Sequence, residues 1–154
     1  DTSTAFRFHF CELALSSLYR SAQTLVIGVS PYSILLFETL VTASAQFHHG
    51  NLRLPVMFER ILSWFVITPR VHAVHHSVIR RETNSNYGAI LTIWDILHRT
   101  LRVRADQEAI QIGVPAYSNP KDSGFWNSLI LPFRQQRPWP LDQESGAMQP
   151  PRQL

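Results

Sequence analysis

Cysteine is almost missing from this chain: Cys11 is the only one in 154 residues. A lone thiol closes no internal disulfide and assembles no thiolate zinc site, so any metal held here must rest on imidazole or carboxylate groups. Charge is sparse too, at 16% of residues with a net of +3. The basic residues are scattered among aliphatic stretches instead of forming a stripe with interleaved aromatics, which argues against nucleic acid as a partner. Residues 1–7 hold no basic run leading into an apolar segment and a small-residue cleavage site, so neither a secretory signal nor a transit peptide is read there. An initiating methionine is also lacking, and because a patterned segment starts at once the chain is expected to be part of a longer protein. There is no H-E-x-x-H sequence to support a metal-dependent hydrolase, and no repeat of the solenoid kind.

What is present suits one domain with one core, at 45% hydrophobic residues. Between Arg20 and Arg53 the only charged residue is Glu38, a pattern that a bilayer or a deep core tolerates. Ser30 before Pro31 reads as an N-cap with proline in the first turn, dividing the region into helices over 10–27 and 31–47 that pair as a hairpin. The second is short for a full crossing, and Gln23, Glu38 and Gln46 would need partners in lipid, so core helices of a soluble bundle are the competing reading. Helical spacing continues over 56–67, with Glu59 and Arg60 on another side, and over 89–101, where a broad apolar surface has Asp95 as its acidic exception. The stretch 84–88 reads as a loop, 113–122 as turn-rich, and 125–133 as a last amphipathic piece. Residues 134–154 read as a flexible, proline-rich tail. The expected fold class is all-α.

The run Thr68-Pro69-Arg70-Val71-His72-Ala73-Val74-His75-His76-Ser77 sets three imidazoles in the spacing H-x-x-H-H. On a helix advancing about 100° per residue these fall within roughly 100° of arc, so one face presents three nitrogen donors. A chance bunching of surface histidines is the plainer alternative. His48 and His49 end the apolar hairpin, and because neighbouring side chains on a regular element diverge, His49 is taken as a ligand and His48 as a packing or solvent residue. His9 is either a ligand or a satisfied histidine beneath a helix end. Nitrogen ligands of this kind hold iron while leaving positions open for dioxygen, and each needs an acceptor for its second nitrogen, for which Asp95, Glu82 and Asn84 are candidates. Trp94 is expected in the core or as an interfacial anchor, and His98 at the surface.

Five elements together resemble the sterol desaturase and fatty acid hydroxylase superfamily: Arg7-Phe8-His9 with Glu12, the segment Phe47-His48-His49-Gly50-Asn51-Leu52-Arg53-Leu54-Pro55, the histidine run, Asn84-Ser85-Asn86-Tyr87-Gly88, and Trp94-Asp95-Ile96-Leu97. The resemblance covers roughly residues 4–133. It implies a helical integral membrane enzyme whose two-iron, histidine-rich centre faces the cytoplasm and uses dioxygen to hydroxylate or desaturate a lipid. Electrons would come from a partner such as a reductase, cytochrome b5 or ferredoxin. Residue by residue, His72, His75 and His76 match the last H-x-x-H-H cluster and are the expected catalytic metal ligands, His49 matches the preceding H-x-N element, and His9 matches an R-x-H position. Asn84 and Asp95 are the expected supporting residues.

The resemblance also implies two earlier histidine clusters, expected upstream of Thr4, so the fragment alone is expected to be inactive. Phe10 replaces a common proline, and His98-Arg99 replace a Phe-Gly pair; an arginine at 99 argues against a left-handed turn of the kind glycine makes cheap. The rival function is a non-catalytic membrane-embedded helical module with structural or zinc-binding histidines.

Overall fold

Two helices of 18 residues each open the structure, a computed structural model that describes residues 2–104 and 106–139. The first, α1 (Phe10–Ile27), starts at His9, whose Nδ1 accepts a hydrogen bond from the Cys11 backbone N–H. It stops at Gly28, where φ is +73° and the N–H returns to the Thr24 carbonyl, a left-handed cap that glycine adopts without a Cβ penalty. Ser30 then caps α2 (Pro31–His48) by accepting from the Ser33 N–H, with Pro31 in the first turn. Arg20 pairs with Glu38, and these lie equally far in sequence from the Gly28–Ser30 link, which fixes the two helices as an antiparallel hairpin. The hairpin is as the sequence predicts.

Its expected membrane crossing is not shown: no helix among the described residues is long and apolar enough to cross a membrane. Both helices nevertheless face outward with apolar side chains. None of α1 is buried, and Leu25 and Val26 are 83% and 86% exposed.

Helix α3 (Val56–Leu62) ends earlier than its periodicity predicts. Thr68 must be extended to precede proline and cap the next helix, and the strand-like stretch before it pairs instead with 90–92: Ile67 N–H donates to Ile90 O at 2.9 Å and Thr92 N–H to Phe65 O at 3.1 Å. Thr68 Oγ1 accepts from Val71 N–H to start α4 (Pro69–His75). Then follow α5 (Arg80–Thr83) and α6 (Ile93–His98), the latter a shorter helix than the 89–101 expected. The described residues are helical, with isolated bridges at Val66–Leu91 and Ser77–Ile112 in place of strands.

The core around α4 is small and unusually polar. Ile67, Val71 and Val74 are buried together with Thr68, Ser77, Ser85, Asn86, Thr92 and Asp95. Buried polar groups are tolerated only when paired, and here Asn86 donates to the carbonyls of Val71 and Arg102 while its Oδ1 accepts from Arg102 N–H. On α3 and α6 the expected amphipathic sense is inverted: Glu59 and Asp95 lie inside, whereas Met57, Ile61, Trp94 and Leu97 are exposed. The acids turn inward to accept backbone N–H groups of a neighbouring segment, Glu59 that of Arg70 and Asp95 those of Tyr87 and Gly88.

The chain ends in α7 (Phe125–Ile130) and a 3-10 turn, Leu131–Phe133. Arg137 then forms a two-point ion pair with Asp122, and Trp139 donates to Val78 O at 3.1 Å. The start of the expected flexible tail is thus held against the body. Residues 140–154 of that tail lie outside the described residues.

Candidate metal centre

Helices α2 and α4 meet at their C-terminal ends and bring together histidines far apart in sequence. His48 is the last residue of α2, His49 its C-cap, His72 and His75 lie on α4, and His76 caps α4. The Nε2 atoms of His49, His72 and His76 form a triangle with edges of 3.1, 3.2 and 2.9 Å. His48 lies against His72 with ring centroids 4.0 Å apart and planes tilted by 39°, and His48, His49 and His72 offer ring nitrogens within 4.8 Å of one another. His75 lies beside them, 5.4 Å from the His76 ring.

Such a triangle cannot be satisfied by hydrogen bonds alone. Each neutral imidazole nitrogen is either a donor or an acceptor, and three mutually adjacent atoms cannot alternate between two roles, so one pair must clash. His49 narrows the choice: its Nδ1 lies 2.9 Å from Ala45 O, and the hydrogen it donates there leaves a lone pair on Nε2. In the same way His75 Nδ1 donates to Ser85 O at 2.8 Å. A cation at the centre removes the conflict. With a metal–imidazole bond of about 2.1 Å, ligands at right angles lie about 3.0 Å apart and tetrahedral ones about 3.4 Å apart, so the observed edges fit a three-nitrogen face of one ion. The donor set of neutral nitrogens suits a borderline divalent metal such as iron or zinc.

Electrostatics prepares the same arrangement. Burial above all, with the neighbouring imidazoles adding, lowers the pKa of His72 to about 2 and that of His76 to about 4. Both are therefore neutral at pH 7, with lone pairs available. Two buried nitrogens, His48 Nδ1 and His72 Nδ1, have no hydrogen-bond partner.

Other expected residues fall elsewhere. His9 is not brought to the cluster: Nδ1 accepts from Cys11 N–H and Nε2 contacts Leu129 O at 3.0 Å, so both ring nitrogens are engaged at the start of α1. Asn84 is exposed at the end of α5, and Glu82 pairs with Arg104. Asp95 accepts from Tyr87 N–H, Gly88 N–H and Thr100 Oγ1 at 2.6–2.9 Å, holding a turn together. The acceptors that orient the imidazoles are instead the Ala45 and Ser85 carbonyls, which no side-chain pattern reveals.

His48 reads from sequence as a packing or solvent residue and Glu59 only as part of a separate polar side, yet the first joins the histidine group and the second is buried. For His48 the signal was its place beside His49, discounted because adjacent side chains diverge; at a helix end both reach the same centre. Glu59, 2% exposed, accepts from the Arg70 N–H at 3.2 Å and pairs with the Arg70 side chain at 2.6 Å. It thereby ties α3 to the first turn of α4, where a carboxylate also meets the positive end of the helix.

A cavity of about 770 Å³ opens beside His48, His49, His72 and His76. Its lining also draws on residues 50–53 after α2, on α4, and on residues 106–108 after α6.

The family model for fatty acid hydroxylases matches residues 1–100. An ornithine lipid hydroxylase from Rhizobium tropici is 30% identical over 128 residues, covering 82% of this chain and 37% of the relative. The chain thus spans little more than a third of that relative's length. No solved structure matches it.

Proposed function

The chain belongs to the fatty acid hydroxylase family, and from that premise we propose that the protein is an iron-dependent oxidoreductase that hydroxylates a lipid with dioxygen. The observation that carries this reading is the frustrated triangle of His49, His72 and His76, whose edges of 2.9–3.2 Å are those of a metal-binding face. His49, His72 and His76 would hold the metal, with His48 and His75 flanking them as further donors. Iron, when bound, supplies the dioxygen activation that an unactivated C–H bond requires.

The protein's part is placement. The Ala45 and Ser85 carbonyls fix the rings of His49 and His75, burial keeps His72 and His76 unprotonated, and the Glu59–Arg70 contact sets the first turn of α4. The exposed apolar side chains along α1, α2, α3 and α6 support association with a membrane, from which an alkyl substrate would reach the centre. The balanced reaction takes one dioxygen, two electrons and two protons, and yields one hydroxyl group on the lipid and one water. The electrons come from a separate donor, such as a reductase, cytochrome b5 or ferredoxin, and the site faces the cytoplasm.

Incubating the complete, iron-loaded protein with lipid, reductant and isotopically heavy dioxygen tests the reading. One heavy oxygen atom per product molecule is expected, lost in His72→Ala and His76→Ala. Heavy label in water alone, or zinc as the sole bound metal, would count against it and favour a non-catalytic role for the histidines.

A further inference from the structure

The cavity beside the imidazoles is unevenly charged. Its lining includes Arg53, in the segment after α2, and Asp106 and Glu108, in the segment after α6. Asp106 Oδ1 already accepts from Ala109 N–H. Arg53 and Glu108 are exposed, and no hydrogen bond or ion pair joins either of them to another described residue. Arg70, the other arginine of the lining, is committed to Glu59. One uncommitted cation and one uncommitted anion thus face a single space without neutralising each other.

An alkyl chain alone has no use for such a mouth. An anionic head would be repelled by Asp106 and Glu108, and a cationic one by Arg53, whereas a head bearing both charges finds an opposite charge for each within the lining. We propose that this cavity selects lipids whose polar head carries both an ammonium and a carboxylate, with Arg53 receiving the carboxylate and Glu108 the ammonium. This rests on the lipid-hydroxylase reading of the centre and narrows its substrate class. Arg53 and Glu108 are positioning residues: they hold the head in the cavity that His49, His72 and His76 also line.

The test uses equilibrium binding to the complete protein, with three short-chain probes: N-acyl ornithine (both charges), N-acyl glycine (carboxylate only) and N-acyl putrescine (ammonium only). N-acyl ornithine is expected to bind tightest. Arg53→Gln should weaken N-acyl ornithine and N-acyl glycine about fivefold while leaving N-acyl putrescine unchanged, and Glu108→Gln should weaken N-acyl ornithine and N-acyl putrescine about fivefold while leaving N-acyl glycine unchanged. Both side chains are exposed, so metal content and helicity should stay at the parent level and show that the variants are folded. Equal binding of the three probes, or affinities indifferent to both substitutions, overturns the proposal. Free ornithine binding as tightly as its acyl form would overturn the assignment to a lipid. If the crossed pattern appears but bound N-acyl ornithine gains no oxygen in the iron-loaded, reduced protein, the hydroxylase reading fails and the head-group assignment stands.

Discussion

His72 and His76 point Nε2 at Nε2 across 2.9 Å, and both face the lone pair of His49 Nε2. Metal should relieve this conflict and stabilise the folded state by mass action, about 2.7 kcal/mol when free metal is a hundredfold above its dissociation constant. Thermal unfolding with and without ferrous iron measures this. His72→Ala and His76→Ala should each lower metal affinity by more than the roughly 10–100-fold typical of residues that merely orient a ligand. A melting temperature indifferent to every divalent ion tried would remove the basis for a metal centre.

Acid should destabilise the metal-free protein in a defined window. His72 and His76 have folded-state pKa values of about 2 and about 4, against 6.5 for a free imidazole. Below pH 6.5 the unfolded chain therefore binds protons that the folded chain refuses. Stability is full above 6.5 and falls as pH is lowered toward 4, with His72 extending the loss further down. Urea midpoints taken from pH 7.5 to 4.5 should decline across this range, and the decline should be shallower in His76→Gln. A flat profile would show that these imidazoles are not shielded from protons.

Asp95 is expected to be a structural residue. Asp95→Ala strands two backbone N–H groups and the Thr100 hydroxyl, a loss of about 3 kcal/mol in chemical denaturation. Gly88→Ala should cost about 1–3 kcal/mol through overpacking, because a Cβ there would stand 2.9 Å from both Asp95 Oδ2 and Leu91 O. In both variants the molecules that remain folded should bind metal as the parent does. Metal loss without loss of stability would instead place Asp95 at the centre.

His9 provides the matching contrast among the histidines. Because its ring caps α1 and touches Leu129 O, His9→Ala should lower stability by about 1 kcal/mol and leave the metal stoichiometry untouched. Metal analysis beside a denaturation curve separates this from ligation, which would show the reverse.

Helix boundaries were legible where side chains set them. Ser30 with Pro31 marks a start that the structure reproduces, and Thr68 with Pro69 opens α4 in the same way. Boundaries set by tertiary pairing were not: nothing in the apolar rhythm of 56–67 announces that Ile67 will bond Ile90. Burial was misread for a related reason. Periodicity assigns the apolar face of 89–101 to the interior, yet Asp95 goes inside because Tyr87 and Gly88 need its oxygens, and Trp94 stays out. The site shows the same division. Imidazole spacing singles out His72, His75 and His76, two of which lie against His49 in the structure, but the carbonyls that orient the rings carry no side-chain signal.

Arg99 breaks an expectation in an instructive way. An arginine at this position argues against a left-handed turn, yet Arg99 adopts φ +57° and ψ +31° as the C-cap of α6. The turn is imposed from outside: Arg99 N–H returns to Ile96 O at 3.1 Å, and the N–H groups of both Thr100 and Leu101 reach Asp95 O. A non-glycine residue in this region carries a penalty of about 1–2 kcal/mol, part of which glycine would return as extra freedom of the unfolded chain. Arg99→Gly should therefore raise stability by about 0.5–1 kcal/mol, read as a higher melting temperature. Arg99→Ala, which removes the side chain but keeps the Cβ, should show no such gain. Equal stabilisation by alanine would trace the cost to the guanidinium and not to the backbone.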